Sequence, residues 1–231
     1  MRETNKVLPE LIDGQYIYTL SSYEPATITV IKPKLDYAKA AKVANDMIAQ
    51  RGGSSESIAF WYMEEFGVGS REALFQKVVE LQKEQHLAYI EQQIQEKLAD
   101  ALAQRVEQTV PDKVLNEVAQ EFFAYHVAQI KETTNVDMEH PASQEEENLR
   151  QAHLDIAKDE ALLNILRTEA LQAYARHNNI QVSQEDIDLF YSSDEFKDFH
   201  NLDEAQVVAG IQRNRALELF RAQATINTEE K

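Results

Sequence analysis

The chain has 231 residues, and its 40 Asp and Glu against 23 Lys and Arg give a formal net charge of −17 at pH 7. This acidity argues against a nucleic-acid partner, which requires clustered Lys and Arg, and against binding to an anionic membrane surface. Cysteine is absent, which excludes disulfides, zinc–thiolate sites and a cysteine nucleophile.

Residues 1–53 predict a small β-strand and helix segment. The first ten residues lack the apolar core of a secretory signal, and no apolar run approaches the roughly 20 residues of a membrane span, so we expect a cytoplasmic protein. Residues 15–34 are predicted to be strand: positions 16, 18 and 20 alternate, a turn follows at residues 21–25, and residues 27–31 form a β-branched run. The next helix, over 34–50, ends at Gly52 and Gly53. These glycines mark the predicted boundary with a second domain, residues 54–231.

The sequence of the second domain predicts helices and no further strand. The whole chain has 6 Gly and 5 Pro, and so few turn-forming residues favour long regular elements. A capping residue or a proline marks each predicted helix start after the glycine break at 67–69: Ser70, Pro111, Ser143, Ser183, Ser192 and Asp203. The first of these helices is predicted to extend to about residue 108. We therefore expect a mainly α fold with a small N-terminal β–α element.

The helix after Ser143 has an apolar face, which consists of Leu149, Ala152, Ile156, Leu163, Leu166, Ala170 and Ala173. The three glutamates at its start, residues 145–147, fit the helix dipole and need no ligand to explain them. None of the six histidines belongs to a His-Glu-x-x-His motif or has a Glu three residues before it. No phosphate-binding loop or G-x-S-x-G motif occurs either. The sequence thus predicts no metal, no cofactor and no catalytic residue.

Six segments, in order, resemble bacterial trigger factor, the ribosome-associated folding chaperone. Residues 20–30 are similar to its crossover strand, and residues 65–74 to the start of its long linker helix. The remaining four segments, which resemble its two helical arms and closing helix, are residues 109–118, 154–166, 178–187 and 213–226. The resemblance covers most of residues 16–227. It implies an extended helical body with a long linker helix and two helical arms.

Two parts of the family pattern are missing. The Gly-Phe-Arg ribosome-docking loop has no match, and residues 51–57 stand where the family has an isomerase domain of roughly 100 residues. Ribosome docking and prolyl isomerisation are therefore not carried over, and we expect no enzyme. The resemblance then implies an ATP-independent chaperone that holds unfolded or unassembled client proteins in a cradle between the arms.

Aromatic residues in the predicted arms are the candidate client-binding residues. Three of them occupy three sides of one helical turn, whereas a two-helix arm buries a single stripe. The candidates are Phe122, Phe123 and Tyr125 in the first arm and Tyr191, Phe196 and Phe199 in the second. Exposed apolar side chains in an acidic surrounding suit apolar or basic clients.

Two alternatives stay open. The same surfaces could serve an assembly module with one fixed partner, or the chain could be a trigger factor relative with a residual prolyl isomerase role.

Overall fold

In a computed structural model, residues 7–53, 55–134, 138, 140–193 and 202–230 are described. The chain is mainly helical with a small N-terminal sheet, which confirms the predicted fold class. Among these residues, no helix combines the length and the apolar character needed to cross a membrane.

The strands are β1 (Glu10–Ile12), β2 (Gln15–Ile17), β3 (Thr27–Lys32) and β4 (Thr225–Glu230). The helices are α1 (Tyr37–Arg51), α2 (Ser55–Phe66), α3 (Arg71–Ala103), α4 (Asp112–Thr134), α5 (Gln144–His177), α6 (Gln184–Ser192) and α7 (Glu204–Gln223).

Local capping chemistry explains most of the helix starts. The Ser70 hydroxyl accepts a hydrogen bond from the Ala73 N–H at 3.1 Å, and Ser143 caps α5 through the Glu146 N–H at 3.2 Å. Ser183 and Asp203 form complete capping boxes at α6 and α7. The predicted helix start at Ser192 is wrong, because Ser192 is the last residue of α6. The predicted capping partner, residue 195, lies outside the described residues.

The strand prediction needs two corrections. The predicted strand segments on either side of the turn at residues 21–25 correspond to β2 and β3, whereas β1 was not predicted. Asp13 and Gly14, at φ values of 50° and 81°, form the turn that pairs β1 with β2 in antiparallel register. The expectation of no strand after residue 54 is wrong, because β4 pairs in parallel with β3. Helix α3 also ends at Ala103, about five residues before the predicted position.

The chain forms two compact units, each built from segments that are distant in sequence. Unit 1 consists of Met1–Ala26 and Lys97–Ala224, and unit 2 of Thr27–Glu96 and Thr225–Lys231. The predicted boundary at Gly53 lies inside unit 2. Unit 1 holds 28 Asp and Glu against 14 Lys and Arg, whereas unit 2 holds 12 against 9. Most of the negative charge therefore belongs to unit 1.

The core of unit 1 joins the N-terminal segment to α4 and α5. Tyr18, Val110 and Ile165 are buried together, and apolar residues of α4 and α5 pack around them. The backbone of residues 19–21 pairs with residues 105–107, with the Ser21 N–H donating to the Arg105 carbonyl at 2.8 Å. Further along α5, the ring of Tyr174 meets the buried ring of Phe220 on α7 edge-on at 5.2 Å. Unit 1 is thus mainly helical, and its N-terminal segment is held to the helices by apolar packing and backbone hydrogen bonds.

The core of unit 2 lies among α1, α2 and the first half of α3. Its fully or nearly fully buried members are Ala40, Ala44, Tyr62, Leu74, Val78 and Val79. Gln93 of α3 is also buried, and its side-chain amide pairs with the backbone of Ile31 in β3. It accepts from the Ile31 N–H at 3.1 Å and donates to the Ile31 carbonyl at 2.9 Å. A side chain thus satisfies the open edge of β3 as a neighbouring strand would.

Candidate binding surfaces

Helices α4 and α5 of unit 1 form an antiparallel hairpin. Late residues of α4 face early residues of α5: the rings of His126 and His153 lie 5.5 Å apart, and Arg150 lies over the ring of Phe123 at 5.8 Å. Small residues of α5, Ala157 and Ala161, are fully buried. Alanines at these positions let the two helices approach closely, so the larger apolar side chains of α5 need not all enter the interface.

Three large apolar side chains of α5 stay exposed on one face. Leu149, Ile156 and Leu163 have exposed fractions of 40%, 46% and 40%. Residues seven positions apart in an α-helix differ by only about 20° in direction, so the three side chains form one line. At 1.5 Å per residue the line is about 21 Å long. We call these three residues the α5 stripe.

The predicted aromatic residues of α4 differ in their exposure. Tyr125 is 60% exposed, and its hydroxyl accepts a hydrogen bond from the Gln129 side chain at 2.6 Å. Phe122 and Phe123 are half-buried. Of the three, Tyr125 offers the largest free surface.

A small polar cluster lies at the same interface. His126 Nε2 is 2.9 Å from a carboxylate oxygen of Glu160, whereas the Nδ1 atoms of His126 and His153 are buried without a hydrogen-bond partner among the described residues. Over the described part of the chain, no group of three or more His, Asp or Glu side chains is arranged to hold a metal ion.

Helices α6 and α7 enclose a groove of about 740 Å³. Its apolar lining comes from Leu189, Phe190 and Ile211, and Leu189 is 69% exposed. Glu218 and the ion pair between Asp186 and Arg215 supply the charged lining. We call this feature the α6–α7 groove.

The ion pair fixes the two walls of the α6–α7 groove. Arg215 donates through both terminal nitrogens to the Asp186 carboxylate, and it also donates to the Gln181 carbonyl at 2.9 Å. The hydrogen bonds from Arg215, followed by those from Ser183, hold the pKa of Asp186 well below its ordinary range. The same pairing raises the pKa of Arg215. Both groups therefore stay charged at neutral pH.

The second-arm aromatic residues are only partly described. Tyr191 is half-buried near the end of α6, and its hydroxyl donates to the Leu202 carbonyl at 3.2 Å. Phe196 and Phe199 lie outside the described residues. The structure therefore gives Tyr191 a role in joining α6 to the segment before α7.

A partly buried cluster of charged residues joins α5 and α7 elsewhere in unit 1. Burial raises the pKa of Glu169, and the charges of Arg176 and Arg213 oppose that shift. Burial, followed by the charge of Glu169, raises the pKa of Tyr18 to about 12. Arg176 also donates to the Tyr18 carbonyl at 2.9 Å. We assign this cluster to the joining of the N-terminal segment to α5, because Arg176 of α5 donates to the backbone of that segment.

Sequence reasoning placed the α5 stripe residues on an apolar helix face but did not select them as binding residues. Apolar periodicity usually marks a buried face. The signal that distinguishes this face is the pair of alanines, Ala157 and Ala161, which lie four residues apart on a different, buried face of the helix. Leu189 was also missed, because one leucine in a short helix carries no pattern.

No known protein-family model matches this chain. A search of curated proteins also finds no similar sequence. The likeness to trigger factor therefore stays a prediction from the residues quoted above.

Proposed function

We propose that this protein is an ATP-independent chaperone that holds non-native or unassembled polypeptides on apolar surfaces of unit 1. The observation that carries the proposal is the α5 stripe, three large apolar side chains in line on the exposed surface of the helix. The resemblance to trigger factor adds support, since it implies the same activity. Tyr125 on the neighbouring helix and Leu189 in the α6–α7 groove offer further apolar contacts.

The energetics of such a surface suit binding followed by release. Fully burying a Leu or Ile side chain contributes about 1.5–3 kcal/mol, and the stripe residues are already about half buried. Covering all three would contribute roughly 3 kcal/mol, which is small against the cost of association. A client must therefore contact several points, and it leaves when folding buries its own apolar side chains. No nucleotide is needed in this cycle.

Suppression of aggregation tests the proposal. A chemically unfolded client is diluted into buffer with a several-fold excess of the full chain, and light scattering is followed. We expect the wild type to suppress scattering and the variant Leu149→Ser/Ile156→Ser/Leu163→Ser to lose most of that effect. The matched control is Gln151→Ser/Lys158→Ser/Asn164→Ser, three exposed polar positions of the same helix. Absence of suppression by the wild type would overturn the proposal.

A second candidate is an assembly module with one fixed partner. The α6–α7 groove favours it, because its ion-paired walls define a shape that one partner could match. A single stoichiometric partner in a pull-down, lost on Leu189→Ser, would select this candidate. A spread of bound proteins would select the chaperone. We propose no prolyl isomerase activity, and a peptide cis/trans assay above background would contradict that.

A further inference from the structure

A second groove lies in unit 2, between α1 and α3, and it differs in charge from the surfaces of unit 1. Its volume is about 550 Å³, and its lining residues are Pro33, Lys34, Asp36, Lys39, Val43, Met47, Val78, Leu81, Gln82, Gln85 and His86. All of them belong to unit 2. We call it the α1–α3 groove.

The floor of the α1–α3 groove is apolar and partly open. Val78 is buried in the core, whereas Val43 and Leu81 have exposed fractions of 37% and 38%. The groove residues of α1 recur every four positions (Lys39, Val43, Met47), and those of α3 every three or four (Val78, Leu81, Gln82, Gln85). The lining therefore follows one face of each helix for about two turns, or roughly 11–12 Å. An occupant that matches this spacing is an amphipathic helix with anchors at helical intervals.

The rim of the α1–α3 groove is cationic in an acidic protein. Lys34 and Lys39 form no ion pair with any described carboxylate. The one carboxylate in the lining, Asp36, is already engaged, because it caps α1 by accepting from the Lys39 N–H at 2.9 Å. The rim thus offers two free ammonium groups to an incoming ligand.

We propose that the α1–α3 groove binds an acidic amphipathic helix of a partner protein. Apolar side chains of that helix would contact Val43 and Leu81, and its carboxylates would pair with Lys34 and Lys39. Charge complementarity selects this occupant, since opposite charges at the rim steer association and exclude basic partners. The α1–α3 groove shares no residues with the proposed client surface and differs from it in charge. The two proposals can therefore be tested independently.

A second copy of the chain is the competing occupant, because unit 1 is strongly acidic and carries an exposed apolar stripe. Each copy carries a net charge of −17, so repulsion between two whole copies is much larger than repulsion between one copy and a short acidic helix. We therefore commit to a separate partner and treat self-association as an outcome of the test.

The test uses the full chain and a designed peptide. The probe is a fluorescein-labelled peptide of about 16 residues, held helical by a side-chain staple, with leucines at helical spacing and glutamates beside them. The control probe has lysines in place of the glutamates. Fluorescence anisotropy at physiological ionic strength, where the long-range field of the acidic chain is screened, gives the dissociation constants, and sedimentation velocity gives the oligomeric state.

We expect the acidic probe to bind and the basic probe to bind at least tenfold more weakly. Lys34→Glu/Lys39→Glu should weaken the acidic probe at least tenfold, and Leu81→Ser should weaken it without changing its salt dependence. The matched control Lys42→Glu/Lys83→Glu makes the same charge change outside the groove and should alter binding less than twofold. Equal loss in both charge variants, equal binding of both probes, or no binding would overturn the proposal. A dimer that Lys34→Glu/Lys39→Glu dissolves and that the probe does not displace would overturn it in favour of a second copy.

Discussion

Arg215 on α7 holds the carboxylate of Asp186 on α6 with two hydrogen bonds, from Nη1 to Oδ2 at 3.0 Å and from Nη2 to Oδ1 at 2.5 Å. The same carboxylate accepts from the Ser183 N–H at 2.8 Å. One side chain therefore completes the cap of α6 and ties α6 to α7. This ion pair therefore joins the two helices that line the α6–α7 groove.

The Asp186 pair predicts an acid-sensitive contact. The pKa of Asp186 is lowered in the folded state, so its contribution to stability is present above the unfolded value of about 3.9 and is lost as the pH falls through the lower folded value. We expect wild-type thermal stability to decline below about pH 4. Asp186→Asn should be less stable at neutral pH and should show a smaller decline, as measured by far-UV circular dichroism.

The exposed neighbour Asp188 supplies the control for that experiment. It accepts a hydrogen bond from the Gln184 side chain at 3.1 Å but pairs with no described arginine. Asp188→Asn should retain the wild-type pH profile. Identical profiles for the wild type and Asp186→Asn would show that the pair contributes nothing to folding.

Phe220 is predicted to be the most sensitive apolar position of α7. Its ring is fully buried, contacts Tyr174 edge-on and lies under the guanidinium of Arg105 at 5.5 Å. Phe220→Ala should lower the free energy of unfolding by about 3–5 kcal/mol because it leaves a cavity. Phe220→Leu should lower the free energy of unfolding by less, since leucine fills more of the space that the phenylalanine ring occupies. Denaturant titration followed by circular dichroism measures both, and a loss below about 1 kcal/mol for alanine would contradict the packing described.

Gln93 is predicted to protect the edge of β3. Gln93→Ala would leave the N–H and carbonyl of Ile31 without partners, and each buried unsatisfied group costs about 1–3 kcal/mol. Gln93→Glu keeps the size of the side chain, but its carboxylate cannot donate to the Ile31 carbonyl at neutral pH. We expect that variant to recover stability on acidification, when the carboxyl group regains a proton. Amide exchange at Ile31 should accelerate in Gln93→Ala, and unchanged exchange would count against this role.

Mutations on the buried face and on the exposed stripe of α5 are predicted to differ in how strongly they destabilise the protein. Ala161 is fully buried, so Ala161→Leu should destabilise the α4–α5 hairpin by about 1–3 kcal/mol through overpacking. Ile156→Ser removes a side chain that is only about half buried, so it should lower the free energy of unfolding by about 1 kcal/mol or less. Chemical denaturation compares the two. A large loss for Ile156→Ser would mean that the stripe belongs to the core and would weaken the proposed function.

Helix starts could be predicted from the sequence because their causes are local. Ser183 and Asp186 lie three residues apart, and the capping box they form depends on that spacing alone. The parallel pairing of β3 with β4 could not be predicted, because it joins residues nearly 200 positions apart and the β4 sequence carries no distinctive strand pattern. The β1–β2 hairpin was predictable from the Asp13–Gly14 turn.

The candidate binding surfaces were harder to predict because exposure depends on tertiary packing. Periodicity placed Leu149, Ile156 and Leu163 on one face but gave no information about whether a neighbour covers it. Small residues at Ala157 and Ala161 redirected the packing to a different face of α5. The sequence analysis likewise predicted both Phe122 and Tyr125 as client-binding residues because they are aromatic, although Phe122 is half-buried and Tyr125 is exposed.

Site-specific photocrosslinking tests the chaperone proposal most directly. A photoreactive amino acid is placed at Ile156 or, as the control, at the exposed polar position Asn164, and the full chain is mixed with a chemically unfolded client. The proposal predicts strong crosslinks from Ile156, few from Asn164, and loss of the Ile156 crosslinks once the client has folded. Equal crosslinking from both positions, or crosslinks that persist with the folded client, would contradict it.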